Sequence, residues 1–258
     1  MKPAPLTLRG AVRSLTAVVF ATLTLISTAA SASGGDVVLD KAPINLNDQA
    51  SLQRGARNFV NYCLNCHNAA FMRYSALTKI GLTEQQIRDN LMFTTEKFGD
   101  NMVSALDPQD AKEWFGVSPP DLTLAARVRG SDWLYTFLRG FHRDDASPTG
   151  WNNSVFKNVA MPHVLHDLQG TRAFVKSGEK PGHDGHIEPV MKLAEERAGT
   201  MNAAEYDRFV VDLVNYMTYM AEPARAQRTQ IGIVVLFFLA IAFFVSLWLK
   251  HEYWKDVK

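Results

Sequence analysis

Cys63-Leu64-Asn65-Cys66-His67 is the segment on which the reading of this chain turns. Its two cysteines are the only ones among 258 residues, so neither can staple distant parts of the fold. C-x-x-C-H is the pattern of covalent c-type haem attachment. The spacing has a chemical reason: two thiols three residues apart can each form a thioether to one vinyl group of the same porphyrin. The adjacent His67 then falls under the iron, where a neutral imidazole nitrogen can ligate it. Three other readings compete, chance occurrence of the pattern among them. A redox dithiol would normally sit in a βαβ context. A zinc site needs two more ligands, for which His163 and His166 have a suitable spacing.

Working outward, Leu52, Ala56, Phe59, Val60 and Cys63 recur at helical intervals, an amphipathic helix running into the cysteines. Toward the C-terminus, Asn202 with Glu205 three residues on is a capping-box arrangement. Tyr206, Phe209, Val210, Leu213, Met217 and Met220 then line one helix face, and Pro223 ends it. Between these helices Pro119-Pro120-Asp121, Ser147-Pro148-Thr149-Gly150 and Pro181-Gly182-His183-Asp184-Gly185 are turn or extended signals. Short helices are expected at Thr83–Met92, Pro108–Phe115 and Asp132–Arg139. No alternating strand run and no repeat is visible, so the expected class is mainly α with long loops.

Both ends of the chain carry an apolar segment. Lys2, Arg9 and Arg13 precede the apolar stretch Leu15 to Ile26, and Ala30-Ser31-Ala32 offers a small-x-small cleavage site. Residues 1–32 therefore read as a secretory signal, too short for a span. Cleavage would take the net charge from +1 to about −2. Ile231 to Leu249 is nineteen residues without a charge, roughly 28 Å as a helix and close to the hydrocarbon thickness. Lys250, Lys255 and Lys258 follow it, with Trp248, Tyr253 and Trp254 at the expected interface; lysines in a short tail mark the cytoplasmic side. The expected organisation is a signal over 1–32, an exported domain over 33–226, a span over 227–250 and a cytoplasmic tail over 251–258. A mean hydropathy of −0.10 excludes a polytopic membrane protein. Lys and Arg total 27 against 26 Asp and Glu, which removes the electrostatic footprint of a nucleic-acid binder.

Export suits haem attachment, because c-type haem is joined to the chain outside the cytoplasm. A second axial ligand must come from nine methionines and six other histidines. Thioether ligation stabilises ferrous iron and raises the potential, as suits an electron carrier. Met161 stands about a hundred residues beyond His67 and before Pro162, which biases its backbone toward an extended form. Its neighbours Val159, Ala160, Val164 and Leu165 are apolar. Met191, His163 and His166 are rivals on spacing alone.

Several further segments carry a resemblance. Ser118-Pro119-Pro120-Asp121-Leu122-Thr123, Arg127-Val128-Arg129, Ala160-Met161-Pro162 and Ala221-Glu222-Pro223 follow the haem motif in that order before a single span. The whole pattern resembles cytochrome c1, the haem subunit of ubiquinol–cytochrome c reductase, over nearly the entire mature chain. The resemblance implies a class I cytochrome c-like domain with one haem c, held by Cys63 and Cys66 and ligated by His67 and Met161. It implies that Arg129 pairs with a haem propionate, a bidentate match of fork and carboxylate. It implies that Pro119 and Pro120 pack on the proximal side, where a backbone carbonyl accepts the other ring N–H of His67. Trp133 is near where the family places an aromatic residue against the haem. The partners implied are cytochrome b, a Rieske iron–sulfur protein as donor and cytochrome c as acceptor, in a dimeric complex of the bacterial cytoplasmic membrane with the haem domain periplasmic. With both axial positions filled, such a chain performs electron transfer and no bond chemistry.

Some features stand outside the pattern. No second cysteine pair braces the Met161 loop, and an acidic docking face is not obvious beyond Asp144-Asp145 and Glu195-Glu196. His183-x-x-His186 in a Gly-rich loop has metal-ligand spacing, and Phe237, Phe238, Phe243 and Phe244 form a stripe suited to lipid or helix contact. Three other functions compete: an independent membrane-anchored shuttle to a terminal oxidase, a haem enzyme or gas sensor with five-coordinate iron, and a zinc-binding interaction domain.

Overall fold

The structure, a computed structural model, describes residues 38–181 and 187–256, with side chains between 180 and 191 excepted. The larger unit of the chain is Leu39–Lys258. The signal reading of residues 1–32 and the His183-x-x-His186 loop lie outside the described residues.

Two helices form the backbone of the larger unit. α1 spans Gln49–Tyr62, and Asp48 caps it by accepting from Ser51 N at 3.0 Å. The apolar face foreseen from the sequence is its buried face: Leu52, Ala56, Phe59 and Val60 are all at most 2% exposed. That face lies against the long helix formed by Ala203–Ala221. There the Asn202–Glu205 capping box closes in both directions, and Tyr206, Val210, Leu213 and Met217 point inward. Phe59 meets Tyr216 at 5.6 Å between ring centres, and Tyr62 meets Phe209 edge-on at 5.4 Å. Gly55 allows the close approach: a Cβ there would collide with the Asp212 carbonyl oxygen and stand 2.6 Å from Tyr216 Cβ. Arg54 clamps the same crossing through a two-pronged pair with Asp212, at 2.6 and 2.9 Å.

Between these two helices the chain is built of short pieces. β1 (Ala69–Arg73) pairs antiparallel with β2 (Asn101–Met102), and a 3₁₀ segment, Tyr74–Ile80, lies between them. The three short helices expected from the sequence form as α2 (Glu84–Asn90), α3 (Pro108–Phe115) and α5 (Ser131–Arg139), with α4 (Ala125–Arg129) just before α5. β3 (Phe141–Arg143) pairs with β4 (Trp151–Asn153), and α6 (His166–Gln169) follows. The helix over Ala203–Ala221 is then α7.

One element departs from the sequence reading. Gly170–Pro181 (β5) and Ile187–Ala198 (β6) form a long antiparallel hairpin where no strand was expected. It carries no alternation because a two-stranded ribbon is wet on both faces; Lys176, Glu179, Lys192 and Glu195 are all exposed. Its root is anchored where Phe174 meets the buried His142 ring at 4.3 Å and Arg172 donates to the Arg139 carbonyl at 3.2 Å. Gly170 has φ +84°, and a Cβ there would collide with the Arg197 carbonyl oxygen, so the hairpin starts on a residue that must be glycine.

α8, Arg225–Tyr253, extends the expected apolar segment to 29 residues. It is the one described helix long and apolar enough to cross a membrane, with a mean hydropathy of 2.8 over its best window. None of its residues is buried by the rest of the chain, unlike those of a soluble core helix. Glu222 ties its start to the globular part, pairing with Arg228 at 2.6 Å and Arg127 at 3.4 Å.

Candidate haem-binding site

α1 ends in the motif. Cys63 is its C-cap, and its N–H still bonds the Phe59 carbonyl at 2.8 Å. The chain then turns back on itself: the N–H groups of Cys66 and His67 both donate to the Cys63 carbonyl, at 3.1 and 2.8 Å. The two thiols and the imidazole therefore share one tight turn, anchored by Leu64, which is 2% exposed.

Both thiols are free. Burial, with a smaller contribution from Cys66, pushes Cys63 up to about 12, and burial also raises Cys66. A redox dithiol needs a lowered thiol pKa to supply thiolate, so these two cysteines have the wrong electrostatics for disulfide exchange.

His67 is held from across the fold. Its Nδ1 lies 2.8 Å from the Pro120 carbonyl oxygen. A carbonyl only accepts, so Nδ1 carries the proton and Nε2 presents a lone pair. Burial lowers the His67 pKa, opposed by that hydrogen bond and by the Asp121 charge, so the ring is neutral at neutral pH. Among the described residues nothing bonds Nε2.

The carbonyl is delivered by a loop sewn to β1. Asp121 Oδ2 accepts from Ala70 N at 2.7 Å and Oδ1 from Thr123 N at 2.8 Å. Leu122 N donates to the Asn68 carbonyl at 2.8 Å, and Phe71 N to Thr123 Oγ1 at 3.3 Å. Ser104 N in turn holds Asn68 Oδ1 at 2.8 Å. Sequence reasoning quoted this loop without finding the tether, although Asp two residues before Thr123 is an Asx-turn signal.

Arg129, at the end of α4, is exposed, and its guanidinium lies over two aromatic rings, 5.2 Å from Trp133 and 5.9 Å from Phe156. Among the described residues no carboxylate pairs with it. Phe156 was not foreseen; no pattern in the sequence links it to Arg129. From Trp133 the aromatic contacts run inward: Trp133 stacks on Phe137 at 4.8 Å, Phe137 meets Phe141 at 5.1 Å, and Phe141 stacks on His163 at 4.8 Å.

Met161 is half-buried and packs on the same hydrophobic core as Cys63 and Trp133. Val159 and Leu165 pin its segment from either side, at 6% and 2% exposure. The other candidates lie as follows. His163 is 2% exposed against Phe141 and Trp151, and burial lowers its pKa to about 4. Its Nε2 completes no hydrogen bond of ordinary geometry, and neither does Gln169 Oε1, although Gln169 opposes the pKa shift. His166 has both nitrogens engaged, Nδ1 with the His163 carbonyl at 3.0 Å and Nε2 with Asp167 at 3.1 Å. The side chain of Met191 is outside the described residues. No group of three or more His, Cys, Asp or Glu side chains suited to a metal ion occurs among the described residues, so the zinc reading finds no support.

The donors present suit a covalently held haem: two thiols on one turn, an imidazole with its lone pair free, a thioether on a separate apolar segment, and an arginine that no carboxylate pairs with among the described residues.

Comparison with known proteins bears on the same residues. The chain is 49% identical over 228 residues to a protein named ammonia monooxygenase gamma subunit from Nitrosomonas europaea, covering 88% of this chain and 92% of that one. It is 48% identical over 237 residues to cytochrome c1 of Allochromatium vinosum, covering 91% and 96%. Cytochrome c1 of Rhodospirillum rubrum is 29% identical over 261 residues, covering 90% and 93%. Residues 40–257 match the cytochrome C1 family, and on that extent of agreement the chain belongs to it.

Proposed function

We propose that this chain is the membrane-anchored, mono-haem c1 subunit of ubiquinol–cytochrome c reductase, passing one electron at a time from a Rieske iron–sulfur protein to cytochrome c. The observation that carries the reading is the His67–Pro120 hydrogen bond beside two free cysteines, which leaves one imidazole lone pair uncommitted. When bound, a single haem c would supply one-electron ferric–ferrous chemistry at its iron.

The chain's own residues have distinct tasks. Cys63 and Cys66 would hold the group through two thioethers. His67 Nε2 would ligate its iron, with the ring direction set by Pro120. Met161 would supply a thioether sulfur to the same iron. Arg129, steadied by Trp133 and Phe156, would pair with a propionate and offset the cost of a carboxylate near an apolar pocket. With both donors engaged, no bond would be made or broken on a substrate; quinol oxidation would fall to the cytochrome b partner.

Residues 1–32 are a removed signal, 33–226 the periplasmic domain, 227–250 the span and 251–258 the cytoplasmic tail. The span anchors the domain in membrane lipid beside cytochrome b, within a dimeric complex. Support for this placement comes from the bare, apolar α8 and from the lysines after it.

A second reading rests on the relative named ammonia monooxygenase gamma subunit, whose identity to this chain is as high as that of a cytochrome c1. A third is the independent shuttle to a terminal oxidase. Purification from membranes through a tag after Lys258, with reduced-minus-oxidised spectra and identification of co-purifying chains, separates them. A c-type band with b-type haem and a Rieske protein supports the c1 reading. A c-type band alone from mild detergent favours the shuttle, and monooxygenase chains favour the second reading. A colourless preparation overturns all three.

A further inference from the structure

Asp121 is exposed, yet both oxygens of its carboxylate are committed to backbone N–H groups on two different segments. One is Ala70 N, three residues after His67; the other is Thr123 N, on its own loop. Exposed carboxylates usually spend their oxygens on water, and one that instead joins two chain segments has a defined mechanical effect. The loop it anchors begins with Pro119 and Pro120, the second of which leads directly into Asp121. Prolines have no N–H, so this stretch cannot fasten itself through its own backbone donors. The Pro120 carbonyl is bracketed from the C-terminal side, by Asp121 on Ala70, Leu122 on Asn68 and Thr123 on Phe71. All three ties end on the four residues that follow His67.

We propose that Asp121 is a positioning residue that acts through Pro120: its carboxylate clamps the loop to β1, holding the Pro120 carbonyl on His67 Nδ1 and so setting the orientation and donor strength of the axial imidazole. The inference rests on His67 being that ligand. A ring N–H given firmly to a carbonyl makes the other nitrogen a stronger donor, which favours the ferric state. Loosening the clamp weakens the donor and raises the reduction potential. Asn in place of Asp121 keeps an oxygen for Thr123 N but turns an amide NH₂ toward Ala70 N, two donors face to face.

The test uses the full chain in detergent, with Asp121→Asn compared with wild type and with Asp110→Asn, which removes an exposed carboxylate on α3 that makes no side-chain bond to another segment. The measurements are the reduction potential and the hydrogen-exchange rate of the His67 ring N–H, read by its paramagnetically shifted resonance in the ferric protein. Asp121→Asn should retain its haem, raise the potential, and exchange the ring proton about tenfold faster, as loss of one ordinary hydrogen bond allows. Asp110→Asn should change neither. An unchanged exchange rate in a haem-loaded Asp121→Asn protein overturns the proposal even where the potential rises, because removing the Asp121 charge beside His67 raises the potential by itself. If that variant accumulates no haem-loaded protein, the wild type and Asp121→Glu decide: a wild-type ring proton that exchanges as fast as that of a free imidazole overturns the clamp, as does equal protection in Asp121→Glu, which keeps the charge and displaces the two oxygens; a proton protected in the wild type and exchanging faster in Asp121→Glu supports it. Wild-type protein without covalent haem sinks the functional reading itself, an outcome distinct from all of these.

Discussion

A thioether and an imidazole bind iron with different preferences, and in the proposed ligation the single sulfur of Met161 would set which oxidation state is favoured. Thioether sulfur stabilises the ferrous state. Met161→Leu keeps the apolar volume and removes the donor, so the reduction potential should fall steeply while Cys63 and Cys66 still hold the haem. Redox titration of the purified variant checks this, and an unchanged potential would remove Met161 from the ligand set. Arg129 would act by charge. Its guanidinium rests on Trp133 and Phe156, and among the described residues no carboxylate pairs with it. Arg129→Gln takes a positive charge from beside the group, which favours the ferric state, so the potential should drop by less than in Met161→Leu; a rise would contradict propionate pairing. The two sites differ in legibility. C-x-x-C-H announces itself through spacing, whereas the Phe156 half of the Arg129 cradle comes from a residue 27 positions away, and no local pattern connects them.

At the scale of the element, α1 and α7 hold the site because α1 delivers Cys63 and α7 fixes α1. Gly55 is where the helices approach most closely. Gly55→Ala would drive a methyl group into backbone of α7, and overpacking of this kind costs about 1–3 kcal/mol or more. The melting temperature of the full chain, followed by circular dichroism, should fall accordingly; a melt within error of wild type would mean the helices part without cost. Both helices were readable in advance, since each buries one stripe against the other and burial imposes a 3.6-residue period. The hairpin β5–β6 was not. Its stability comes from cross-strand pairing and from the contacts of Phe174 and Arg172 at its root, and neither leaves a periodic trace. Lys192-Leu193-Ala194-Glu195-Glu196-Arg197-Ala198 would suit a helix by propensity, yet pairing with β5 overrides it.

For the whole molecule, the fold is a class I cytochrome c-like domain, mainly helical, with an apolar helix at its C-terminal end. A stop codon placed after Pro223 deletes α8 and leaves α7 and its capping box intact. The truncated protein should leave the membrane fraction on alkaline carbonate washing and still show the spectrum of the full chain, whereas the full chain should stay with the membranes. Release of the full chain under the same wash would argue against a span. Glu222, joined to Arg127 and Arg228, is lost in part of its network by this cut, so the truncated protein should also be somewhat less stable.

The order of amino acids alone dictated the features that depend on neighbours in sequence. Thiol spacing, the two amphipathic helices, their caps and the apolar C-terminal segment are local, and local chemistry needs no partner to be recognised. The tertiary structure alone decided what depends on residues far apart along the chain. The His67 ring is turned by a carbonyl 53 residues away, Asp121 reaches Ala70 across 51, and Arg54 finds Asp212 across 158. Contacts of that separation exist only after the chain has closed large loops, and no periodicity or spacing within a segment encodes them.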